Sequence, residues 1–462
     1  MNEPRSGVKE ETEGVKTLLG DPKKAIITLS VPMIVAMSVQ TIYNVVDAIW
    51  VSGLGADALS AVGFFFPFFF MLMALATGIG IGGGSAVSRR IGAKDKPGAD
   101  TVAVHTMVIM LGATAVVTIP FFVFARDVFT FMGAGKITDT ATVYAKILFG
   151  GSIIIFFSNV SNALLRGEGD AKRAMYAMMV GAGLNIVLDP LFIYTFGLGV
   201  AGAAWATALS LLVSSVILFY WIFIKKDTYI SITFRNFKVE RDVTAEILKV
   251  GLPSALSQLS MSLSMFFLNI IVVKSGGTDG VAILSTGWRV ATFAVLPLIG
   301  ISTAVIAVTG AAYGSRAYEK LSTAYLYAVK VGLAIAGCIA VATFVLAPQI
   351  TLLFTFSEDA ARITDDLILF LRTMCLYYPV VSFGMFSSSM FQGTGRGVNA
   401  LVVTIFRTIV LTTPLAFVFS LRSGMGLPGV WWGIVTGNII GATLAFVWAM
   451  LYIRRLKRSA EL

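Results

Sequence analysis

The stretch SVPMIVAMSVQTIYNVVDAIW, Ser30 to Trp50, reads as a membrane-crossing helix apart from one residue. No lysine or arginine interrupts it, and its length suits the roughly 20 apolar residues that carry a helix across a hydrocarbon core about 30 Å thick. Asp47 breaks the pattern near its far end. Similar runs recur along all 462 residues, of which 57% are hydrophobic and 13% charged; a soluble domain carries about twice that charge. Closed β-barrels also satisfy the backbone in lipid, but they need short alternating strands rather than continuous apolar blocks. The fold class is an all-α integral membrane protein.

Charged and glycine-rich breaks divide the chain into twelve transmembrane helices, with approximate limits 24–52, 58–88, 101–125, 139–164, 171–195, 200–224, 242–274, 280–311, 321–346, 362–389, 397–420 and 428–453. Lysine and arginine concentrate on one side. That side carries Lys16, Lys23, Lys24, Arg89, Arg90, Lys94, Lys96, Arg166, Lys172, Arg173, Lys225, Lys226, Arg235, Lys238, Arg241, Arg316, Lys320, Arg396 and the terminal RRLKR. The other keeps chiefly Arg126, Lys136, Lys274, Arg362 and Arg422. Both termini are therefore expected in the cytoplasm, with the chain in the cell membrane. The polar first 22 residues show no cleavable signal and read as a tail.

The resulting plan is a tail over 1–23, a first lobe over 24–224, a linker over 225–241, a second lobe over 242–453 and a basic tail over 454–462. The net charge of +10 suits a protein bathed in anionic membrane lipid and gives no reason to expect nucleic acid. Cys338 and Cys375 fall in apolar segments, and His105 has no clustered ligand partners. No metal centre or cofactor is implied. Short loops leave no room for a catalytic domain, and the spans show neither paired histidines nor a Ser/Lys dyad, so an enzyme is not expected.

The halves resemble each other. LSVPMIVAMS (Leu29 to Ser38) aligns with VGLPSALSQLS (Val250 to Ser260), Pro32 on Pro253. ALLRGEGDAK (Ala163 to Lys172) matches SMFQGTGRGV (Ser389 to Val398), each a G-x-G turn after a helix. GLGVAGAAWATALS (Gly197 to Ser210) matches GMGLPGVWWGIVTG (Gly424 to Gly437), with Gly202 on Gly429. Six spans precede the midpoint loop, so the repeats share one orientation and a pseudo-two-fold axis along the membrane normal.

The second half repeats neither Asp47 nor Asp189: the alignment sets them opposite Leu268 and Thr413. A mid-helix aspartate costs on the order of 2.5–3.5 kcal/mol on insertion scales, and such residues face a bundle interior or wet cavity. Without a cationic partner it takes up a proton or holds a cation; the plainer alternative is a helix end that reaches interfacial water. Tyr43 and Asp47 are i, i+4, as are Asn185 and Asp189, and Gln40 lies two turns from Asp47. Asp189 precedes Pro190, which frees a nearby carbonyl or simply kinks the helix. Such oxygens suit Na⁺ or a shared proton. Pro32, roughly 22 Å along the helix from Asp47, reads as a hinge or as a fixed kink.

Weaker features remain. The glycines of TGIGIGGGSAVSRRIGAKDK (Thr77 to Lys96) allow close packing and lack a Walker lysine. The run FFFPFFF (Phe64 to Phe70) and methionines 33, 37, 71, 73, 175, 178, 179, 261 and 265 either line an adaptable cavity or face lipid. Arg289 and Arg407 are apparent buried cations without an assigned role.

SVPMIVAMSVQTIYNVVDAIWVSGLG, LLRGEGDAK and GLNIVLDPLFIYTFGLGVAGAAWAT together resemble the MATE (multidrug and toxic compound extrusion) family, in its DinF-like archaeal and bacterial branch, over essentially all spans. The resemblance implies a V-shaped, two-lobed fold that exports organic cations and amphipathic drugs in exchange for H⁺ or Na⁺, as a monomer and with no cofactor. By position it implies a cation site at Asp47, Asn185, Asp189 and Thr207, with Tyr144 adjacent, and a substrate lining at Gln40, Tyr43, Asn159 and Asn162. The NorM-like branch places acids deep in the seventh and tenth helices. Here Gln258 and Ser262 stand mid-helix, and Asp365 and Asp366 only at a helix start. The rival expectation is a lipid-linked saccharide flippase, whose cationic cleft would draw on Arg289 and Arg407.

Overall fold

The computed structural model describes residues 12–235, 237–355 and 361–461. Helix α1 (Glu13–Leu19) begins where the Thr12 hydroxyl accepts the Val15 N–H. Helix α2 (Pro22–Ser52) starts behind Asp21, whose carboxylate accepts the Lys24 N–H at 2.9 Å, with proline at the first helical position. There follow α3 (Ala56–Gly92), α4 (Lys96–Val123), the short α5 (Ala125–Phe131), α6 (Thr138–Gly150), α7 (Ser152–Gly167), α8 (Ala171–Thr195) and α9 (Gly199–Lys225). The second half holds α10 (Arg241–Gly314), α11 (Tyr318–Leu352), α12 (Thr364–Met374), α13 (Tyr378–Gly393), α14 (Gly397–Arg422) and α15 (Gly426–Glu461).

At 74 residues α10 would be roughly 110 Å long as one rod, far more than a bilayer. It folds back at Gly277, where φ is 58° and ψ −145°. A Cβ added to Gly280 would sit 3.0 Å from a methyl of Val272, a contact only a reversed chain makes. Two further spans are bent pairs, α6–α7 by 46° and α12–α13 by 51°. Among the described residues, nine long apolar helices, two bent pairs and the fold-back in α10 make twelve crossings. The bends were not expected. One falls at adjacent Gly150 and Gly151; the other precedes Pro379, which disfavours helix in the residue before it.

The repeat is visible in atomic contacts. Added Cβ atoms on Gly202 and Gly429 would collide with the backbones of Phe192 and Phe419, equivalent residues of the two halves. Gly169 and Gly395 take φ of 88° and 79° in the paired G-x-G turns, the left-handed geometry that ends each preceding helix. The bent pairs also occupy corresponding spans. The molecule is thus two six-helix lobes.

The lobes are fastened at the end that carries Arg89, Arg90 and both described termini. Glu246 accepts from Arg89 at 3.1 Å and from Arg90 at 2.9 Å, and Arg89 also donates to the Gly393 carbonyl at 3.0 Å. Helix α3 lies backbone to backbone on α10 there, with Gly92 against Ala311. At the opposite end the ion pairs among the described residues stay within a lobe: Lys136–Asp57, Arg126–Asp139 and Arg362–Asp279.

Three segments differ from expectation. Residues 1–11 of the expected N-terminal tail lie outside the described residues, but α1 is packed, with Val15 and Leu18 buried. The C-terminal tail is helical: α15 continues to Glu461 because RRLKRSA contains no helix breaker, and Lys457 meets Glu319 at 2.8 Å. The linker runs as a strap bonded to the first lobe; its residue 236 lies outside the described residues. Ile230 N–H donates to Glu168 at 2.9 Å, Ser231 N–H to Asp100 at 2.6 Å and Glu240 N–H to His105 Nε2 at 2.9 Å. Tyr229, Ile230 and Ile232 supply its buried apolar face.

Candidate functional site

Four helices of the first lobe deliver one polar cluster. Helix α2 brings Tyr43 and Asp47, α6 brings Tyr144, α8 brings Asn185 and Asp189, and α9 brings Thr207. Asp189 is fully buried and Asn185 is 1% exposed, whereas Asp47 and Tyr43 are half-buried. The Asp47 and Asp189 carboxylates are within hydrogen-bond reach of each other, and the Tyr43 hydroxyl reaches the Thr207 side chain. The Asn185 carboxamide, oriented by its neighbours, donates to Asp189 at 2.8 Å and accepts the Thr207 N–H at 3.2 Å. Tyr144 closes the cluster, its ring held edge-on by Phe65 at 5.4 Å.

No lysine or arginine among the described residues pairs with either carboxylate. Two carboxylates in contact repel when both are ionised; a shared proton or a bound cation removes the repulsion. The cluster therefore has the chemistry to take up and release one positive charge. The i, i+4 spacings put each partner on the right helix face. What the sequence left open, whether the two helices meet, is answered by the packing of α2 on α8.

The expected substrate lining divides. Asn159 faces a cavity of about 410 Å³ between the lobes and donates to its own helix at Ile155 O, 2.9 Å. Asn162, one turn on, is 4% exposed and turned into the lobe, its Oδ1 without a donor, and it does not line that cavity. Gln40 stands half-buried on α2 outside it, as does the Tyr43–Asp47 cluster. Pro32 is buried in an unbroken α2, two residues before the close contact of Ile34 with Gly300. Met37, Met178 and Met261 line the cavity, whereas Met33 is core. The phenylalanine run splits between the core, at Phe65, and exposed rings at Phe66 and Phe70.

Arg166 and Arg407, one from each lobe, also face this cavity, and no acid among the described residues lines it. The sequence reading placed Arg166 among loop cations because it lies one residue before the helix end. Arg289 is exposed and outside the cavity.

A family model described as MatE matches residues 32–191 and again 253–418, one block in each lobe. The chain belongs to the MATE family. It is a membrane transporter, and relatives of this MATE protein span more than nine-tenths of its length. The multidrug export protein MepA of Staphylococcus aureus (strain MSSA476) is 26% identical over 443 residues, 94% of each chain. The outward-facing structure of a multidrug resistance MATE family transporter of the MOP superfamily is 51% identical, covers 97% of this chain and 100% of that one, and superposes with a TM-score of 0.95. A MOP superfamily transporter from Pyrococcus furiosus, whose reverse polarity of binding pocket is described as suggesting a different function, is 51% identical over 97% of this chain and 99% of its own, with a TM-score of 0.94.

Proposed function

We propose that this MATE protein is a secondary antiporter that exports cationic or amphipathic organic compounds and takes up H⁺ or Na⁺ in return. The observation that carries the reading is the Asp47–Asp189 pair, two touching carboxylates with no basic partner, present in one lobe and missing from its repeat. The multidrug export relatives support the substrate class. Asn185 can present either its carboxamide oxygen or its N–H to Asp189, so the cluster suits H⁺ or Na⁺. The basic end, fastened by Glu246, is the cytoplasmic one and holds both termini. The cleft opens outward, charge enters the carboxylate pair, and α2 bends at Pro32 to expel substrate as the lobes rock. One charge moving inward across the whole field gains about 2.3 kcal/mol per 100 mV.

Efflux of a cationic dye from proteoliposomes, driven by a pH gradient or a Na⁺ gradient alone, tests this. One of the two gradients is expected to suffice and so to name the coupling ion, and Asp47→Asn is expected to abolish transport while leaving the protein folded. Undiminished efflux by that variant, or drive by neither gradient, would contradict the respective part. One observation favours a second reading, movement of an anionic lipid-linked saccharide: Arg166 and Arg407 face the central cavity with no acid among the described residues that line it.

A further inference from the structure

The symmetry mate of the carboxylate site is a cavity of the opposite sign. Leu268, which aligns with Asp47, and Thr412, which corresponds to Asn185 in the register that pairs Phe192 with Phe419, line a second-lobe cavity of about 270 Å³ enclosed by α10, α13, α14 and α15. Its walls are largely apolar, with Met265, Leu268, Trp288 and Val295 prominent, and its polar surface comes from Arg407, Thr408, Thr412 and Asn438. Three of those four are committed to their own neighbourhood. Thr408 donates to Thr404 O at 2.8 Å, Thr412 to Arg407 O at 2.8 Å, and Asn438 to Ile434 O at 2.8 Å.

Arg407 is not committed. Its stem packs on Gly441, where an added Cβ would lie 2.9 Å from Arg407 Cβ. Its buried Nε has no partner, and its only polar neighbour of note is the Tyr377 phenol. A guanidinium keeps its charge in any protein setting, and its fork of donors matches carboxylate and phosphate. Arg407 as a whole is half-buried, but its Nε is sealed off without a partner, and a buried donor left open costs free energy that an anion on the guanidinium would recover. Arg407 also lines the central cavity, so it stands in the wall between the two spaces.

We propose that the second-lobe cavity binds an amphipathic anion, with its hydrocarbon part among Met265, Leu268, Trp288 and Val295 and its phosphate or carboxylate on the Arg407 guanidinium. The apolar walls require a chain, and the single open cation requires one anionic head. The site is separate from the carboxylate pair and does not depend on its role.

Calorimetric titration of the full-length protein in dodecyl maltoside with dodecyl phosphate tests the proposal. Saturable binding is expected, with dodecyltrimethylammonium and inorganic phosphate each at least about tenfold weaker, the scale of one charge-assisted hydrogen bond. That comparison needs only the wild-type protein. Arg407→Gln is expected to weaken dodecyl phosphate by a similar factor, Arg407→Lys to restore part of it, and Val295→Phe to reduce it by filling the cavity with Arg407 intact. Asp47→Asn is expected to leave it unchanged, which separates this site from the antiport reading. Equal binding of the ammonium amphiphile, saturation by inorganic phosphate alone, or unchanged affinity in a folded Arg407→Gln protein would overturn the assignment.

Discussion

Asp47 and Asp189 show how one residue type carries different meanings by place. In an apolar run a lone carboxylate stands out, so both were legible from the sequence. Whether it has a partner depends on residues far away in the chain, and so the free state of Arg166 and Arg407 was not. Asn159 and Asn162 are three residues apart with the same chemistry, yet one faces the central cavity and the other the lobe interior. Glu168, in the turn between α7 and α8, makes a separate residue-scale prediction. Burial pushes its carboxyl up to about 8 despite the Ile230 N–H that favours the ionised form. An acid whose folded value exceeds its unfolded value binds more protons when folded, so its contribution to stability is present at low pH and declines as pH rises from about 4.5 toward 8. Glu168→Gln is expected to flatten the fall in melting temperature between pH 5 and 8, within about the titration range of that group. An unchanged pH profile in the variant would show that Glu168 is not the group responsible.

At the scale of elements, hydrophobic length identified the spans, and glycine or proline marked where they bend. The fold-back at Gly277 lay between two spans already separated in the sequence, because KSGGTDG carries the polar and glycine residues of a turn. The kinks at Gly151 and before Pro379 were missed, since hydropathy continues through both. The linker strap was missed for a related reason: its short YISI alternation gains meaning only against Glu168 and Asp100. Pro32 belongs to this scale too. It removes one backbone hydrogen bond from a helix that is otherwise continuous. If α2 bends during the cycle, Pro32→Ala stiffens it, and efflux turnover is expected to fall by roughly tenfold, a barrier change of about 1.4 kcal/mol. The melting temperature should hold or rise. Full turnover in proteoliposomes would identify Pro32 as a fixed kink.

At the scale of the molecule, two repeats of one architecture have diverged in charge. Each lobe turns one arginine, Arg166 or Arg407, to the central cavity, but only the first holds a carboxylate pair, while Glu246 ties the lobes together through Arg89 and Arg90. A charged hydrogen bond of this kind contributes about 1.5–3 kcal/mol. Glu246→Gln is therefore expected to shift the balance toward a form open at the basic end. Maleimide labelling reads this out at Ser254→Cys, which is 2% exposed in the fastened state, in a background with Cys338 and Cys375 replaced by alanine. Faster labelling in the Glu246→Gln protein is the expected result; equal protection would show that backbone packing of α3 on α10 holds that end without the ion pairs.

The sequence by itself determined the twelve crossings, the internal repeat and the two odd carboxylates, because the cost of placing charge in hydrocarbon acts on each residue locally. The tertiary structure alone decided that the carboxylates touch, that Asn162 turns inward, and that Arg166 and Arg407 face a cavity without an acid. Those facts depend on which helix faces meet, and pairing between side chains distant in the chain is a property of packing that hydropathy does not encode.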